Sequence, residues 1–153
     1  MALLPVALIT LAVTFKYRLG VGSILTMIPM CALLYVGGIY WRAKSRALDD
    51  GPSAVWAVMP LIHRLQVPLV LMCVAALGIV VWVWISPTAA VSSGDRWTAT
   101  GAGVLAALEY VNYYHRQLQH FDHMPDVRRF FAGKGFRKSQ MARDLRAWRN
   151  SQA

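Results

Sequence analysis

Residues 67–85 read V-P-L-V-L-M-C-V-A-A-L-G-I-V-V-W-V-W-I, a run of nineteen residues without a charged side chain. As an α-helix, a run of this length extends about 28 Å, close to the ~30 Å hydrocarbon core of a bilayer. Trp82 and Trp84 stand near its end, and aromatic side chains are enriched at membrane interfaces. The run therefore predicts a transmembrane helix.

Three further apolar stretches accompany this run, and the predicted spans are 2–15, 24–41, 67–85 and 98–118. The first is short for a full crossing, but Lys16 and Arg18 behind it can reach towards the headgroups. We expect it to span, with a re-entrant segment as the alternative. Ser53 is predicted to cap a short helix over 54–65 that lies at the membrane surface.

The composition agrees with a membrane protein. Hydrophobic residues make up 57% of the chain and charged residues 15%, whereas soluble domains carry about 25% charged residues. No stretch shows the alternation typical of a strand. The predicted fold is an all-α, small polytopic membrane protein with about four transmembrane helices. It comprises a transmembrane domain over 1–123 and a basic, helical cytoplasmic tail over 124–153.

The distribution of basic residues orients the chain. The loop at 42–65 and the tail are rich in Lys and Arg, whereas 86–97 contains a single Arg96 beside Asp95. Because cytoplasmic loops carry the excess of basic residues, the loop at 42–65 and the tail are predicted to be cytoplasmic. We expect an integral protein of the cell membrane with both termini inside.

The tail is predicted to contact lipid or a partner. Nine of the sixteen Lys and Arg lie from Arg116 onward. Ser139 is expected to cap a helix running to about Arg149, with Met141 and Leu145 on its apolar stripe. The predicted contact residues are Arg128, Arg129, Lys134, Arg137, Lys138, Arg143, Arg146 and Arg149. Anionic headgroups or other membrane protein subunits suit such a tail, and nucleic acid is not expected.

A polar seam follows the small residues of the last span. At 100° per residue, one helical stripe holds Glu109, Asn112, Tyr113, Arg116 and His120. Glu109 is the only Glu in the chain. A carboxylate within a membrane is a candidate functional group. The plainer interpretation is that the stripe packs against a neighbouring helix.

The histidines offer ligands for a metal. The candidates are His115, His120 and His123, and His115 with His63 could flank a haem. However, Asn112 occupies the third position after Glu109, so the Glu-x-x-His pair of di-iron helices is absent. No cofactor is therefore predicted, and no catalytic residue is assigned, because the chain has neither a Gly-x-Ser-x-Gly elbow nor a phosphate loop.

Three functional hypotheses follow. The favoured one is a non-enzymatic accessory or assembly subunit of a larger membrane complex, which packs through its last helix and docks its basic tail. One alternative is a small membrane metal, haem or redox enzyme using Glu109 and residues 115–123. The other is an oligomeric ion or proton transporter or channel with Glu109 as its site.

Overall fold

The computed structural model describes Val13, residues 18–118 and residues 137–152. Four α-helices form most of this part of the chain, which contains no β-strand. They are α1 (Val21–Asp50), α2 (Ser53–Ile85), α3 (Ser93–Tyr114) and α4 (Gln140–Asn150). The predicted all-helical class is confirmed for the described residues. Apart from Val13, the predicted span 2–15 lies outside them.

Two of these helices are long and apolar enough to cross a membrane, namely α1 over Val21–Asp49 and α2 over its whole length. Only 22% of the most apolar window of α2 is buried, unlike the covered core helix of a soluble protein. The helix α3 does not pass the same test of length and composition. It is more polar, since it contains Asp95, Arg96 and Glu109. The structure thus supports two possible crossings.

Both long helices extend further than the sequence indicates. The helix α1 continues past its basic residues to Asp50, and the predicted surface helix over 54–65 is the first part of α2. The buried residues of α2 recur at intervals of three, four and seven: Val55, Met59, Ile62, Leu69, Cys73, Ala76 and Val83. Because one face stays buried along the whole length, packing stabilises a single helix despite Pro60 and Pro68.

A two-residue turn separates the two long helices. Gly51 has a φ of 80°, a left-handed conformation that favours glycine and ends α1 after Asp50. The carbonyl of Pro52 then accepts the amides of Val55 (3.2 Å) and Trp56 (3.3 Å), which starts α2. The link between the two helices therefore consists of Gly51 and Pro52 alone.

The first of two compact units contains the described residues of Met1–Gly38 and Val67–Glu109. Its helices pack closely through the small residues of α3. A Cβ on Gly103 would lie 2.7 Å from a methyl group of Val80, and the thiol of Cys73 donates to the carbonyl of Ala106 (3.6 Å). Ala102 and Ala106 are fully buried. The small-residue face of α3 is thus covered by this chain's own helices.

A buried carboxylate joins the beginnings of α1 and α3 in the same unit. Asp95 is 1% exposed and accepts hydrogen bonds from the amides of Gly20 (2.7 Å) and Val91 (3.1 Å) and from the hydroxyl of Ser23. The Asp95 amide donates to the Ser92 hydroxyl (3.1 Å), which caps α3. A Cβ on Gly20 would clash with the carboxylate, so the close approach requires glycine.

The second unit contains Ile39–Gln66 and the described residues of Tyr110–Ala153. Its core is built from large side chains, among them Tyr40, Met59, Ile62 and Tyr114. The predicted helix behind Ser139 is confirmed as α4. Its apolar stripe is covered by the protein, because Met141 is 2% exposed and Leu145 4% exposed. The tail helix therefore buries its apolar stripe and turns mainly polar residues outward.

Candidate anion-binding groove

A groove in the second unit is lined mainly by cationic side chains and has a volume of about 820 Å³. The cations come from the segment that follows α3, from the residues before α4 and from α4 itself. They are Arg116, Arg137, Lys138, Arg143, Arg146 and Arg149. No Asp or Glu is among the described residues that line the groove. The groove therefore concentrates positive potential that suits an anion.

Backbone pairing fixes one wall of the groove. Arg116 and Lys138 face each other in an isolated antiparallel bridge. The amide of Gln117 donates to the carbonyl of Arg137 (3.0 Å), and the amide of Ser139 donates to the carbonyl of His115 (3.2 Å). Arg116 and Lys138 themselves therefore do not hydrogen-bond each other. This is the pair type in which side chains come closest. Two like charges directly opposite each other are unfavourable unless an anion lies between them.

Ser139 positions α4 beside this bridge. Its hydroxyl accepts the amide of Ala142 (3.0 Å), which caps the helix, and donates to the carbonyl of Tyr113 near the end of α3. The residue is 3% exposed. One side chain thus satisfies a helix start and a helix end that would otherwise leave backbone groups unpaired.

Asp144 holds the opposite side of α4 and is the only acidic residue of that helix. Its Oδ2 accepts hydrogen bonds from the hydroxyl of Tyr40 (2.8 Å) and from Nζ of Lys44 (2.8 Å). It does not line the groove, but it lines a second cavity of about 310 Å³. The carboxylate is therefore engaged elsewhere and does not compensate the arginines of α4 that line the groove.

Arg149 is held in place by α2. Its Nη2 donates to Oε1 of Gln66 (2.6 Å) and lies 3.1 Å from Nδ1 of His63. The ring of His63 also packs against that of Trp148, with 5.7 Å between centroids. Both polar contacts use Nη2, so Nη1 and Nε of Arg149 have no partner among the described residues. The Nη1 and Nε donors can each still bind an anion, but not as a bidentate pair, because both paired edges of a guanidinium include Nη2.

The residues of the predicted polar stripe have different surroundings. Glu109 is half-buried, and its Oε2 is buried without a hydrogen-bond partner in the described part of the chain. The Oδ1 of Asn112 accepts the amide of Leu118 (2.9 Å) and so stabilises the turn after α3. Tyr113 is buried in the second unit. The predicted role of these residues in packing against a partner stays a prediction.

The stripe does not continue helically beyond Tyr114, where α3 ends four residues before the predicted limit of 118. The amides of His115 and Arg116 both donate to the carbonyl of Val111, a pattern that closes a helix. Arg116 consequently leaves the helical projection and joins the groove. His120 lies outside the described residues.

The predicted contact residues of the tail converge where they are described. Arg137, Lys138, Arg143, Arg146 and Arg149 all line the groove. The other three (Arg128, Arg129 and Lys134) lie outside the described residues. The sequence thus identified the cations, but not that they surround one cavity.

The metal hypothesis is not tested over most of its residues, because His120 and His123 lie outside the described part of the chain. Within that part, no three His, Cys, Asp or Glu side chains are grouped as metal ligands. His115 is exposed and its ring packs against that of Tyr110 (5.6 Å), while His63 contacts Trp148 and Arg149.

Two carboxylates with several hydrogen-bond partners, Asp95 and Asp144, were not predicted from the sequence. For Asp95 a signal exists, since Ser92 and Asp95 have the spacing of a capping box before an apolar run. For Asp144 there is none, because its partners Tyr40 and Lys44 lie about a hundred residues away in sequence.

No family model, curated protein or solved structure matches this chain.

Proposed function

We propose that the protein is a non-enzymatic accessory or assembly subunit of a larger membrane protein complex. The helices α1 and α2 supply two crossings of the cell membrane. We place α3, which occupies most of the predicted span 98–118, and residues 2–15 as two further spans, with the basic tail on the cytoplasmic side. Support for α3 comes from its outer face, where Val104, Leu108 and Val111 recur at helical spacing and are exposed.

The observation that carries the proposal is the state of Glu109. Its Oε2 is buried and has no hydrogen-bond partner among the described residues. A carboxylate oxygen withdrawn from water without a donor is costly, and more so within a membrane. A donor from a neighbouring subunit would offset that cost. Because the small-residue face of α3 is already covered by α1 and α2, the partner would approach along the flank that carries Glu109.

The test is purification in a gentle detergent followed by mass spectrometry of what remains bound. We expect the wild-type protein to retain a stoichiometric membrane partner. Glu109→Ala should lose it, whereas Glu109→Gln, which keeps the size and one acceptor, should retain most of it. Asp49→Ala removes an exposed carboxylate from the end of α1 and serves as the matched control.

A wild-type protein that purifies as a stable monomer without a stoichiometric partner would contradict the proposal. Retention of the partner by Glu109→Ala would remove Glu109 as the contact. Equal loss of the partner in Asp49→Ala would indicate general instability instead of a specific contact.

The buried Oε2 of Glu109 also favours a second candidate function, an oligomeric ion or proton transporter with Glu109 as its site. Partly buried carboxylates in membrane helices recur in proton and ion pathways. Reconstituted oligomers should then show ion or proton flux in liposomes that Glu109→Gln abolishes, because Gln cannot exchange a proton. Absence of flux from the wild-type oligomer would remove this candidate.

A further inference from the structure

We propose that the groove binds the phosphate group of an anionic phospholipid at the membrane surface. This inference rests on the membrane embedding contained in the proposed function. It goes beyond general attraction between a basic tail and a charged surface, because the cations converge on one cavity whose walls are fixed by hydrogen bonds.

The first step is the charge of the site. Six Arg and Lys side chains line the groove and no carboxylate does so among the described residues. Asp144, which could neutralise its neighbours on α4, is bound to Tyr40 and Lys44 instead. The mutual repulsion of the six cations that line the groove therefore falls when an anion enters.

The second step is preorganisation. The bridge holds Arg116 opposite Lys138, and Gln66 with His63 fixes the guanidinium of Arg149 while leaving Nη1 and Nε available. Guanidinium groups match the tetrahedral oxygens of phosphate through paired hydrogen bonds. Lysine adds a compact charge to the same anion. The donor set therefore suits the oxygens of a phosphate group.

The third step is location and size. Gln66, which lines the groove, directly precedes the uncharged run 67–85, and Val67 and Leu71 at its beginning are more than 60% exposed. Residues at the end of a membrane span lie at the depth of the headgroups. A volume of about 820 Å³ far exceeds one inorganic phosphate and falls within the range of organic ligand sites. A lipid headgroup matches both the location and the size of the groove, whereas an acidic peptide matches only its size.

The experiment measures lipid binding by the full-length protein in a neutral detergent. Phosphatidylglycerol and phosphatidylcholine are titrated in parallel, and inorganic phosphate, glycerol phosphate and a penta-glutamate peptide form separate arms. We expect the wild-type protein to bind phosphatidylglycerol at least tenfold more tightly than phosphatidylcholine. The soluble phosphates should compete only at much higher concentration, since they lack the acyl chains.

The variants locate the site. Arg143→Gln with Arg146→Gln should weaken phosphatidylglycerol binding at least tenfold, and Lys138→Gln should weaken it less. The matched control, Arg42→Gln with Arg46→Gln, removes two exposed cations of the same unit that do not line the groove. It should change the affinity less than twofold. Circular dichroism verifies that each variant keeps its helices.

Several results would overturn the inference: no preference for the anionic lipid, equal weakening in both double variants, or tighter binding of the peptide than of the lipid. Equal affinity for glycerol phosphate and phosphatidylglycerol would assign the groove to a soluble phosphate. Loss of the lipid preference in a protein that still co-purifies its membrane partner overturns only this inference. A monomeric protein that still prefers the lipid overturns only the subunit proposal.

Discussion

Each of the two units contains one aspartate that links its helices by hydrogen bonds, but the donors to the two carboxylates differ in kind. Asp95 in the first unit is 1% exposed and collects three neutral donors, two amides and a hydroxyl. Asp144 in the second unit is 27% exposed and binds Tyr40 together with the ammonium of Lys44. The first carboxylate is bound by two backbone amides and one short side chain, and the second by two long side chains.

The difference follows from how deeply each carboxylate is buried. A carboxylate withdrawn from water needs hydrogen bonds to every available lone pair, because no solvent remains to supply them. A partly exposed carboxylate keeps some of its hydration, and its ion pair is screened by water. We therefore expect the first unit to depend on its aspartate far more than the second does, and substitutions can test this.

The largest effect is expected for Asp95→Ala. The substitution leaves two amides and a hydroxyl, from Gly20, Val91 and Ser23, without their acceptor in a buried site. Each unpaired buried group costs about 1–3 kcal/mol, so the free energy of unfolding should fall by at least about 3 kcal/mol. Denaturation in mixed micelles measures it. Asp49→Ala, at an exposed position, should change it by less than about 0.5 kcal/mol.

If Asp95→Ala lost no more than about 1 kcal/mol, the hydrogen bonds of Asp95 would contribute little beyond what water provides. The contrast between the two carboxylates would then be wrong. Asp95→Asn gives an intermediate test, because an amide keeps one acceptor oxygen but adds donors that the three neighbouring donors cannot satisfy.

The next effect concerns the small residues that pack α3 in the first unit, where two glycines make a matched pair. A Cβ on Gly103 would meet Val80 at 2.7 Å, whereas a Cβ on Gly101 would have nothing within 4 Å. Gly103→Ala should therefore lower the free energy of unfolding by about 1–3 kcal/mol through overpacking. Gly101→Ala should be neutral or should stabilise by up to about 1 kcal/mol through helix propensity. Equal effects would mean that Val80 moves freely aside.

The sequence was most informative about single helices. The uncharged run 67–85, the capping residue Ser139 and the stripe of Met141 and Leu145 depend on local pattern, and the structure has helices with these features. The predicted break between 54–65 and the following span was wrong. The prediction treated 54–65 as a separate surface helix, whereas the buried residues of α2 recur on both sides of position 66.

The candidate site was less accessible, because its geometry depends on pairs distant in sequence. Composition identified a cationic tail, but the groove exists because Arg116 pairs with Lys138 and because Asp144 contacts α1. Local periodicity carries no information on such pairs. For the same reason the helical projection placed Arg116 on the face of Glu109, although the helix ends before it.

The smallest effect is expected for Asp144→Ala, which completes the comparison. Its partners are 2.8 Å away, but about a third of each charged side chain stays in solvent, so the loss should be about 1–2 kcal/mol. Because Asp144 attaches α4, the loss should appear as local opening. Hydrogen exchange of the α4 amides should accelerate about tenfold while those of α3 are unchanged. Lys44→Met should cause a smaller acceleration of exchange in α4 than Asp144→Ala does, since Tyr40 still donates to the carboxylate. Unchanged exchange in α4 would mean that Met141 and Leu145 hold the helix by apolar packing alone.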